Sequence, residues 1–312
     1  MSAARHGAFG DMAFHTLTFV FALLVLVVLG GVILSLISGA LPALEHFGFG
    51  FLVAEAWNPV TEKFGALAPI YGTLVTSAIA MLIGIPVAFG VALFITELCP
   101  NWLKRPLSTM IELLAAIPSI IYGIWGLFVL APFVQEHIEP FLIGTLGAVP
   151  GIGMLFAGPP LGIGVLTAGF ILAVMVLPFI SSIMRDVFET VPAVLRESTY
   201  ALGATTAEVV WQVVLPYARV GVFGGILLGL GRALGETMAV TFVIGNSHHI
   251  HVSILQPGTT ISAALANEFT EAVGDLYLSS LIALGLILFV ITFIVLALAK
   301  LLLIRLERQA GG

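Results

Sequence analysis

Charged residues are scarce in this chain of 312 residues. They make up 9% of the sequence, whereas a soluble domain carries about a quarter. Apolar residues make up 60%, and the mean hydropathy is +1.16. This balance excludes an ordinary water-soluble domain and indicates an integral membrane protein.

Basic residues and cysteine are equally few. Lys and Arg together number 11, which excludes the basic surface of a nucleic-acid-binding protein. None of the lysines (Lys63, Lys104 and Lys300) follows a glycine, so the chain lacks the phosphate-binding loop of ATPases. Cys99 is the single cysteine, which excludes an internal disulfide. If the protein uses ATP, a separate polypeptide must hydrolyse it.

Six apolar segments are long enough to cross a hydrocarbon core, which requires about 20 helical residues. They cover residues 16–40, 70–97, 107–131, 161–184, 219–245 and 276–304. The first is longer than the apolar part of a signal peptide, so we expect it to be retained. Residues 141–160 are also apolar, but their many glycines and prolines favour a loop outside the membrane. The sequence therefore predicts an all-α, polytopic membrane protein with six transmembrane helices.

The basic residues are distributed asymmetrically between the two sides. Nine lie in the segments on the side of the termini: Arg5, Lys104, Arg105, Arg185, Arg196, Arg219, Lys300, Arg305 and Arg308. The loops of the other side contain only Lys63, and Arg232 lies within an apolar segment. By the positive-inside rule, we expect both termini to be cytoplasmic.

This topology divides the chain into a cytoplasmic tail, a first helix, a periplasmic loop, a five-helix core and a second cytoplasmic tail. These parts are residues 1–15, 16–40, 41–69, 70–305 and 306–312. Within the core, residues 185–218 form a long cytoplasmic loop, whereas 132–160 and 246–275 are periplasmic. The periplasmic loops carry eight acidic residues and one lysine, and such a surface repels small anions. An anionic cargo would therefore need a separate protein to deliver it.

The long cytoplasmic loop has the pattern of two short helices. Gly203 is typical of the end of a helix, and Thr205 with Glu208 forms a capping box that begins the next one. We expect this second helix to stop at Leu215-Pro216. The exposed apolar edge of such an elbow fits either a docking surface for another protein or an amphipathic pair lying on the membrane. The residues alone leave both interpretations open.

The fifth apolar segment contains a charged pair on a stripe of glycines. On a helical wheel, Gly221, Gly225 and Gly229 share one face with Arg232 and Glu236. Small residues at this spacing predict close packing against another helix. An arginine inside the membrane costs about 3 kcal/mol or more. The pair is either an ion pair that holds two helices together or an anion site with Glu236 as counter-ion, and we favour the anion site because intramembrane charges so often mark pathways.

The cytoplasmic elbow resembles the coupling loop of importer-type ABC permeases. The matching residues are Glu197-Ser198-Thr199, Gly203, Val213, Leu215 and Pro216, in the pattern E-A-A, G and I-x-L-P of that family. Ser198 and Thr199 replace the two alanines, and Val213 replaces the usual isoleucine. The resemblance implies that this elbow sits in a cleft of an ATPase subunit and transmits its motion.

A longer resemblance covers nearly the whole chain. Residues 70–77, 112–123, 184–189, 229–243, 256–261 and 266–269 resemble the first permease of bacterial phosphate-specific ABC importers. This resemblance implies a non-enzymatic subunit of the inner membrane that conducts inorganic phosphate and has no cofactor, metal or catalytic residue. The implied partners are a second homologous permease, two copies of an ATPase subunit and a periplasmic phosphate-binding protein. Sulfate or molybdate is the alternative cargo.

Three further features carry weaker signals. Ser119 follows Pro118, whose kink in the third span could turn the serine hydroxyl towards a phosphate oxygen. His248, His249 and His251 could bind a metal or sense pH, but we expect them in a solvated loop. Trp57 is expected to be an interfacial aromatic residue.

Two other functional classes fit the residues less well. A self-contained ion-coupled transporter would carry several carboxylates at mid-membrane and an internal repeat. An intramembrane enzyme would need a nucleophile and a base, or a metal constellation, within the spans. Neither pattern is evident in the sequence.

Overall fold

The structure is a computed structural model that describes residues 2–310, with side chains at positions 11–12 and 14–305. The described residues form helices and loops, and their only β-type pairing is an isolated bridge between Asn58 and Lys63. The predicted all-α fold is therefore confirmed. In the two tails at 1–15 and 306–312, most side chains, including those of Arg5 and Arg308, lie outside the described part of the structure.

Fourteen α-helices follow one another along the described chain. They are α1 (Ser2–Phe47), α2 (Gly50–Val53), α3 (Leu67–Leu93), α4 (Asn101–Ala115), α5 (Ser119–Trp125), α6 (Ala131–Phe133), α7 (Glu139–Thr145), α8 (Val165–Glu189), α9 (Ala193–Ala201), α10 (Thr206–Val209), α11 (Leu215–Leu234), α12 (Met238–Thr241), α13 (Ile261–Glu268) and α14 (Asp275–Ala310). Wide π-helical turns extend or join several of them, at Phe94–Leu98, Gly126–Leu130, Val134–Ile138 and Val210–Val214. A 3-10 turn covers Gly153–Phe156.

Six helical segments of the described chain are long and apolar enough to cross a membrane, as predicted. They are Phe14–Phe47, Leu67–Leu98, Ser119–Thr145, Val165–Glu189, Thr206–Leu234 and Asp275–Arg305. The third span differs from the predicted 107–131, because the helix is broken before Pro118 and residues up to Ala115 form the separate helix α4. A residue that precedes proline disfavours the helical conformation, which explains the break. The span then continues to Thr145, so the predicted loop at 141–160 begins later.

The fifth span also differs from its prediction at both ends. The second elbow helix does not stop at Leu215-Pro216 but runs on through a π-helical turn into α11. Pro216 lies directly after the π-helical turn, at the start of α11, and the wider turn accommodates its missing N–H. The span ends at Leu234 rather than 245, since Gly235 caps α11 and the short helix α12 follows.

The core of the bundle is formed by α3 and α8, which run parallel, with α11 antiparallel against α8. The glycine stripe allows α11 to approach α8 closely. A Cβ added at Gly221 would lie 2.5 Å from Val187, and one added at Gly229 would lie 2.5 Å from Ile180. Gly225 lies between them, opposite Ile183. The stripe therefore packs against α8.

The two ends of the bundle differ in charge. The basic end is where α3 and α8 finish, and it carries Lys104, Arg105, Arg185 and Arg196. The acidic end is where α3 and α8 begin, and Glu55, Glu62 and Glu268 belong to it.

Candidate translocation site and coupling elbow

Two helix breaks adjoin each other in the middle of the bundle. The first covers residues 116–118, between α4 and α5, and the second covers 235–237, between α11 and α12. Just beyond the breaks, α5 packs closely against α12. The approach is so close that a Cβ added at Gly123 would lie 3.0 Å from the carbonyl oxygen of Met238. Helix ends leave backbone groups without intrahelical partners. Paired breaks inside a membrane protein are therefore a place where a polar ligand can bind.

Arg232 lies at this level, in the last turn of α11. Its guanidinium carbon is 5.6 Å from the ring centre of Phe179, which stands near the middle of α8. The side chain is exposed on the surface of the chain and forms no ion pair within the described residues. The aromatic face and the carboxyl end of α11 both favour a cation here. The bundle thus presents an uncompensated positive charge at mid-depth.

Glu236 does not neutralise Arg232 in the way that the helical wheel suggested. Because α11 ends at Leu234, the two residues are not one helical turn apart and form no ion pair. The half-buried carboxylate of Glu236 instead accepts a hydrogen bond of 3.2 Å from the backbone N–H of Ala239. Its acceptor capacity is used in part to cap α12.

Ser119 is the first residue of α5 and is half-buried beside the first break. Tyr122 closes that break on its other side, because its hydroxyl donates a hydrogen bond of 2.8 Å to the carbonyl oxygen of Leu114 in α4. The amino end of α5 and the guanidinium of Arg232 are two features that attract an anion, and both lie at the level of the breaks.

The predicted coupling elbow, residues 193–216, lies at the basic end. Gly203 has a φ of +89°, the left-handed conformation that ends α9. The capping box is present: the Thr205 hydroxyl accepts from the N–H of Glu208 at 3.4 Å, and the Glu208 carboxylate accepts from the N–H of Thr205 at 2.7 Å. Large apolar side chains are exposed around this turn, at Val194, Leu202 and Trp211. Such a surface is suited to contact with a protein or with the membrane.

The residues that depart from the E-A-A pattern behave as small apolar residues in the structure. The hydroxyls of Ser198 and Thr199 donate to the carbonyl oxygens of Val194 and Leu195 in their own helix, at 2.6 and 2.8 Å. Their polarity is thereby satisfied locally, so they can replace alanine. Glu197 is exposed beside them.

The second part of the motif lies where the elbow joins α11. Val213 and Leu215 are half-buried and flank the buried Val214, whereas Pro216 is exposed. These positions belong to the π-helical turn and to the first turn of α11. The elbow is therefore continuous with the helix that carries Arg232.

A polar network at the acidic end was missed by the sequence analysis. The Glu268 carboxylate accepts hydrogen bonds from the Trp57 indole at 2.5 Å and the Tyr277 hydroxyl at 2.7 Å, and it pairs with His248 at 2.8 Å. The His248 ring also stacks on Trp57, with 5.1 Å between ring centres. His248 is thus not a solvated loop residue, and Trp57 anchors a loop. No local pattern reveals contacts between residues so distant in sequence.

The other two histidines of this loop have weaker contacts. His249 lies 3.6 Å from the Glu55 carboxylate, which also accepts a hydrogen bond of 2.6 Å from the N–H of Ile250. The backbone carbonyl of His251 accepts from the Tyr71 hydroxyl at 3.4 Å. The described residues contain no cluster of His, Cys, Asp and Glu that could hold a metal ion. The loop is therefore tied to the bundle chiefly through Glu55 and Glu268.

Glu268 lies outside the six spans, and burial and hydrogen bonding shift the pKa of its carboxyl group in opposite directions. Burial raises its pKa, but the hydrogen bonds from His248, Tyr277 and Trp57 outweigh burial and hold the pKa below its usual value. Glu268 is therefore ionised at neutral pH and joins four segments of the acidic end.

Known proteins match this chain along its whole length. Residues 80–308 match the family described as binding-protein-dependent transport system inner membrane component. The chain is 62% identical to the phosphate transport system permease protein PstC of Mesorhizobium japonicum, over 100% of this chain and 95% of that protein. The protein of the same name from Pasteurella multocida is 55% identical, over 96% of this chain and 94% of its own length.

A more distant sequence relative and a solved structure are also similar to this chain. A probable phosphate transport system permease protein PstC of Methanocaldococcus jannaschii is 41% identical, over 82% of each chain. A solved structure of the methionine ABC transporter MetNI covers 77% of this chain and 94% of its own, with a TM-score of 0.54 at 19% identity, which supports the fold. The chain therefore belongs to the family of binding-protein-dependent transport system inner membrane components, and within it to the phosphate transport system permeases.

Proposed function

We infer that this chain is a permease subunit of an ATP-driven importer of inorganic phosphate in the bacterial inner membrane, with both termini in the cytoplasm. The names of the relatives support phosphate over the alternatives sulfate and molybdate. The nine-to-one distribution of basic residues supports the orientation. On this proposal the basic end faces the cytoplasm and the acidic end faces the periplasm.

The observation that carries the proposal is the unpaired guanidinium of Arg232 beside two helix breaks at mid-depth. A guanidinium presents two parallel N–H donors that match two oxygens of one phosphate, which an ammonium group does not. The amino end of α5, with the Ser119 hydroxyl, offers further donors. Glu236 is then the acceptor for a phosphate hydroxyl, a group that sulfate lacks.

We infer the partners of the chain from surfaces that are exposed in its described residues. Arg232 is exposed on one side of the bundle, so a second, homologous permease is needed to enclose the path. The elbow residues Glu197 and Gly203 are exposed at the basic end for one of two ATPase copies. Since the acidic end repels free anions, a periplasmic phosphate-binding protein delivers the cargo there.

Uptake of labelled phosphate by the complex reconstituted in liposomes tests the role of Arg232. We expect Arg232→Gln to reduce uptake at least a hundredfold, and Arg232→Lys to leave a small measurable rate, because the lysine keeps the charge without the bidentate geometry. Both complexes should assemble and hydrolyse ATP at a basal rate. Arg219→Gln removes a charge from the same helix at the basic end and should transport normally.

A purely structural role for Arg232 gives different results. In that case Arg232→Gln would impair assembly, and uptake would fall only in proportion to the amount of assembled complex. Normal uptake by assembled Arg232→Gln would contradict the anion site.

A further inference from the structure

The first helix of the elbow is tied to the bundle by one arginine. The Arg196 guanidinium donates a hydrogen bond of 2.5 Å to the carbonyl oxygen of Phe188, in the last turn of α8. The same nitrogen lies 3.2 Å from the carboxylate of Glu97, in the π-helical turn that ends the second span. One side chain of α9 thus contacts the ends of two core helices.

This ion pair is shielded from water. The side chain of Glu97 is only 5% exposed and that of Arg196 is 21% exposed. The contact is an ion pair rather than a hydrogen bond, since Glu97 Oε1 has no hydrogen-bond partner among the described residues. Removing one member would leave the other charge without its partner. Phe188 beneath them is fully buried and packs edge-on against Phe89 of α3, with 5.8 Å between ring centres. The junction therefore combines an ion pair with buried aromatic packing.

The second span extends from this junction to the opposite end of the molecule. It is helical without interruption from Leu67 to Leu98. At the acidic end, Gly72 lies so close to Thr259 that a Cβ would be 1.8 Å from its carbonyl oxygen. The buried hydroxyl of Thr73 accepts a hydrogen bond of 3.0 Å from the N–H of Ile261. The helix thus connects Glu97 to the 259–261 segment about 36 Å away, at 1.5 Å per residue.

We propose that Arg196 is a positioning residue that couples the elbow to the second span. When an ATPase subunit displaces the elbow, the Arg196–Glu97 pair moves the second span with it, and α3 carries this motion to the 259–261 segment at the acidic end. The proposal rests on the proposed function, because it assumes that the elbow receives the ATPase motion.

The test uses the complete complex in liposomes and measures phosphate transported per ATP hydrolysed. We expect Arg196→Met and Glu97→Gln each to lower this ratio at least tenfold, while assembly and ATP hydrolysis stay within about twofold of the wild type. Because the pair acts as a unit, the double variant should be no worse than the single ones. If Arg196→Met does not assemble, the nearly isosteric Glu97→Gln carries the test. A wild-type ratio in an assembled variant would refute the proposal.

Arg185→Met is the matched control. Arg185 is also buried at the basic end, with 11% of its side chain exposed, and it pairs with Glu112 and Asp186 rather than with the second span. This variant should keep the wild-type ratio. An equal loss of coupling in Arg185→Met would mean that any buried arginine at this end has the same effect, and Arg196 would have no special role.

A distance measurement provides a readout that a merely structural role would not change. Spin labels on Leu98→Cys and Ala201→Cys, in a Cys99→Ser background, report the separation of the second span and α9. In the otherwise native complex this distance should stay constant between the nucleotide-free and vanadate-trapped states, and with Arg196→Met it should change. A change in the native complex, or constancy in the variant, would overturn the inference.

The two proposals fail in different ways. If the proposed function is wrong, the wild-type complex itself transports no phosphate, and the distance measurement still reports whether α9 and α3 move together. If only the present inference is wrong, the wild type transports and Arg196→Met transports equally well per ATP.

Discussion

Arg232 carries a charge inside the membrane-spanning part of the protein, and its neighbours offset only part of the cost. Arg232 gains a favourable contact from Phe179 and from the carboxyl end of α11, each worth about 0.5–1 kcal/mol. Neither contact supplies a negative partner. Since an arginine at this depth costs about 3 kcal/mol or more, the cost is only partly offset. An anion bound beside Arg232 would offset the rest of this cost.

Glu268 provides a prediction with a defined dependence on pH. Its folded-state pKa is lowered, so the ionised carboxylate contributes stability above its unfolded pKa, and this contribution is lost as the pH falls through the folded-state pKa. Glu268→Gln should therefore destabilise the detergent-solubilised protein by about 2 kcal/mol at neutral pH, and the difference should shrink on acidification to about pH 3.

Thermal unfolding followed by tryptophan fluorescence measures this effect, because Trp57 is part of the network. Glu62→Gln is the control, since Glu62 is exposed on the same loop as Trp57. A difference between wild type and Glu268→Gln that stays constant from pH 7.5 to about pH 3, well below the ordinary glutamate pKa, would contradict the assignment.

The sequence was a good guide to isolated charges and a poor guide to their partners. Arg232 could be recognised because a charge within an apolar run stands out. Its pairing with Glu236 was wrong because nothing but Gly235 signals the end of α11, and glycine also occurs inside transmembrane helices. Trp57 and Glu268 each looked ordinary, since their contact joins residues that are 211 positions apart.

At the scale of elements, the left-handed turn of the elbow can be tested separately from its surface. No atom lies within 4 Å of the position that a Cβ would take at Gly203, so a substitution there acts through backbone strain alone. A β-branched residue at this φ costs roughly 1–3 kcal/mol, whereas asparagine tolerates it. We expect Gly203→Val to lower ATP-dependent phosphate uptake several-fold with normal membrane insertion, and Gly203→Asn to retain most of it.

Uptake assays and membrane quantification of both variants provide the check. Full uptake by Gly203→Val would show that the angle between α9 and α10 does not matter for coupling. An equal loss in Gly203→Asn would mean that the position tolerates no side chain, and strain would not be the cause.

The number of spans was predictable, and their ends were less so. Hydropathy reports how much apolar helix the chain contains, which is why six spans were found. It does not report where a helix breaks, because residues 107–115 at the end of α4 are apolar enough to be counted together with α5. Pro118 was visible as a kink, but a complete break depends on Tyr122 satisfying the Leu114 carbonyl from the other side. The π-helical turn that lets the chain pass Pro216 has no simple sequence signature.

At the scale of the whole molecule, the orientation in the membrane is the prediction that all others assume. Single cysteines at Thr61 and Val273, in a Cys99→Ser background, are exposed at the acidic end and should react with an impermeant maleimide in cells with a permeable outer membrane. A cysteine at Leu202, which is 89% exposed at the basic end, should react only after the inner membrane is opened. Labelling of Leu202→Cys in sealed cells would reverse the topology.

The pairing of α1 with α14 has a consequence for biosynthesis. The two helices meet at the acidic end, where Gly39 faces Ile282 and the N–H of Ala43 donates to the Ser279 hydroxyl at 2.9 Å. Because α1 is synthesised before α14, it lies in lipid without this partner until α14 has been inserted. The chain between Asp11 and Glu45 carries no charged residue, so α1 is stable in lipid during that interval. The contact between α1 and α14 therefore forms only after α14 enters the bilayer.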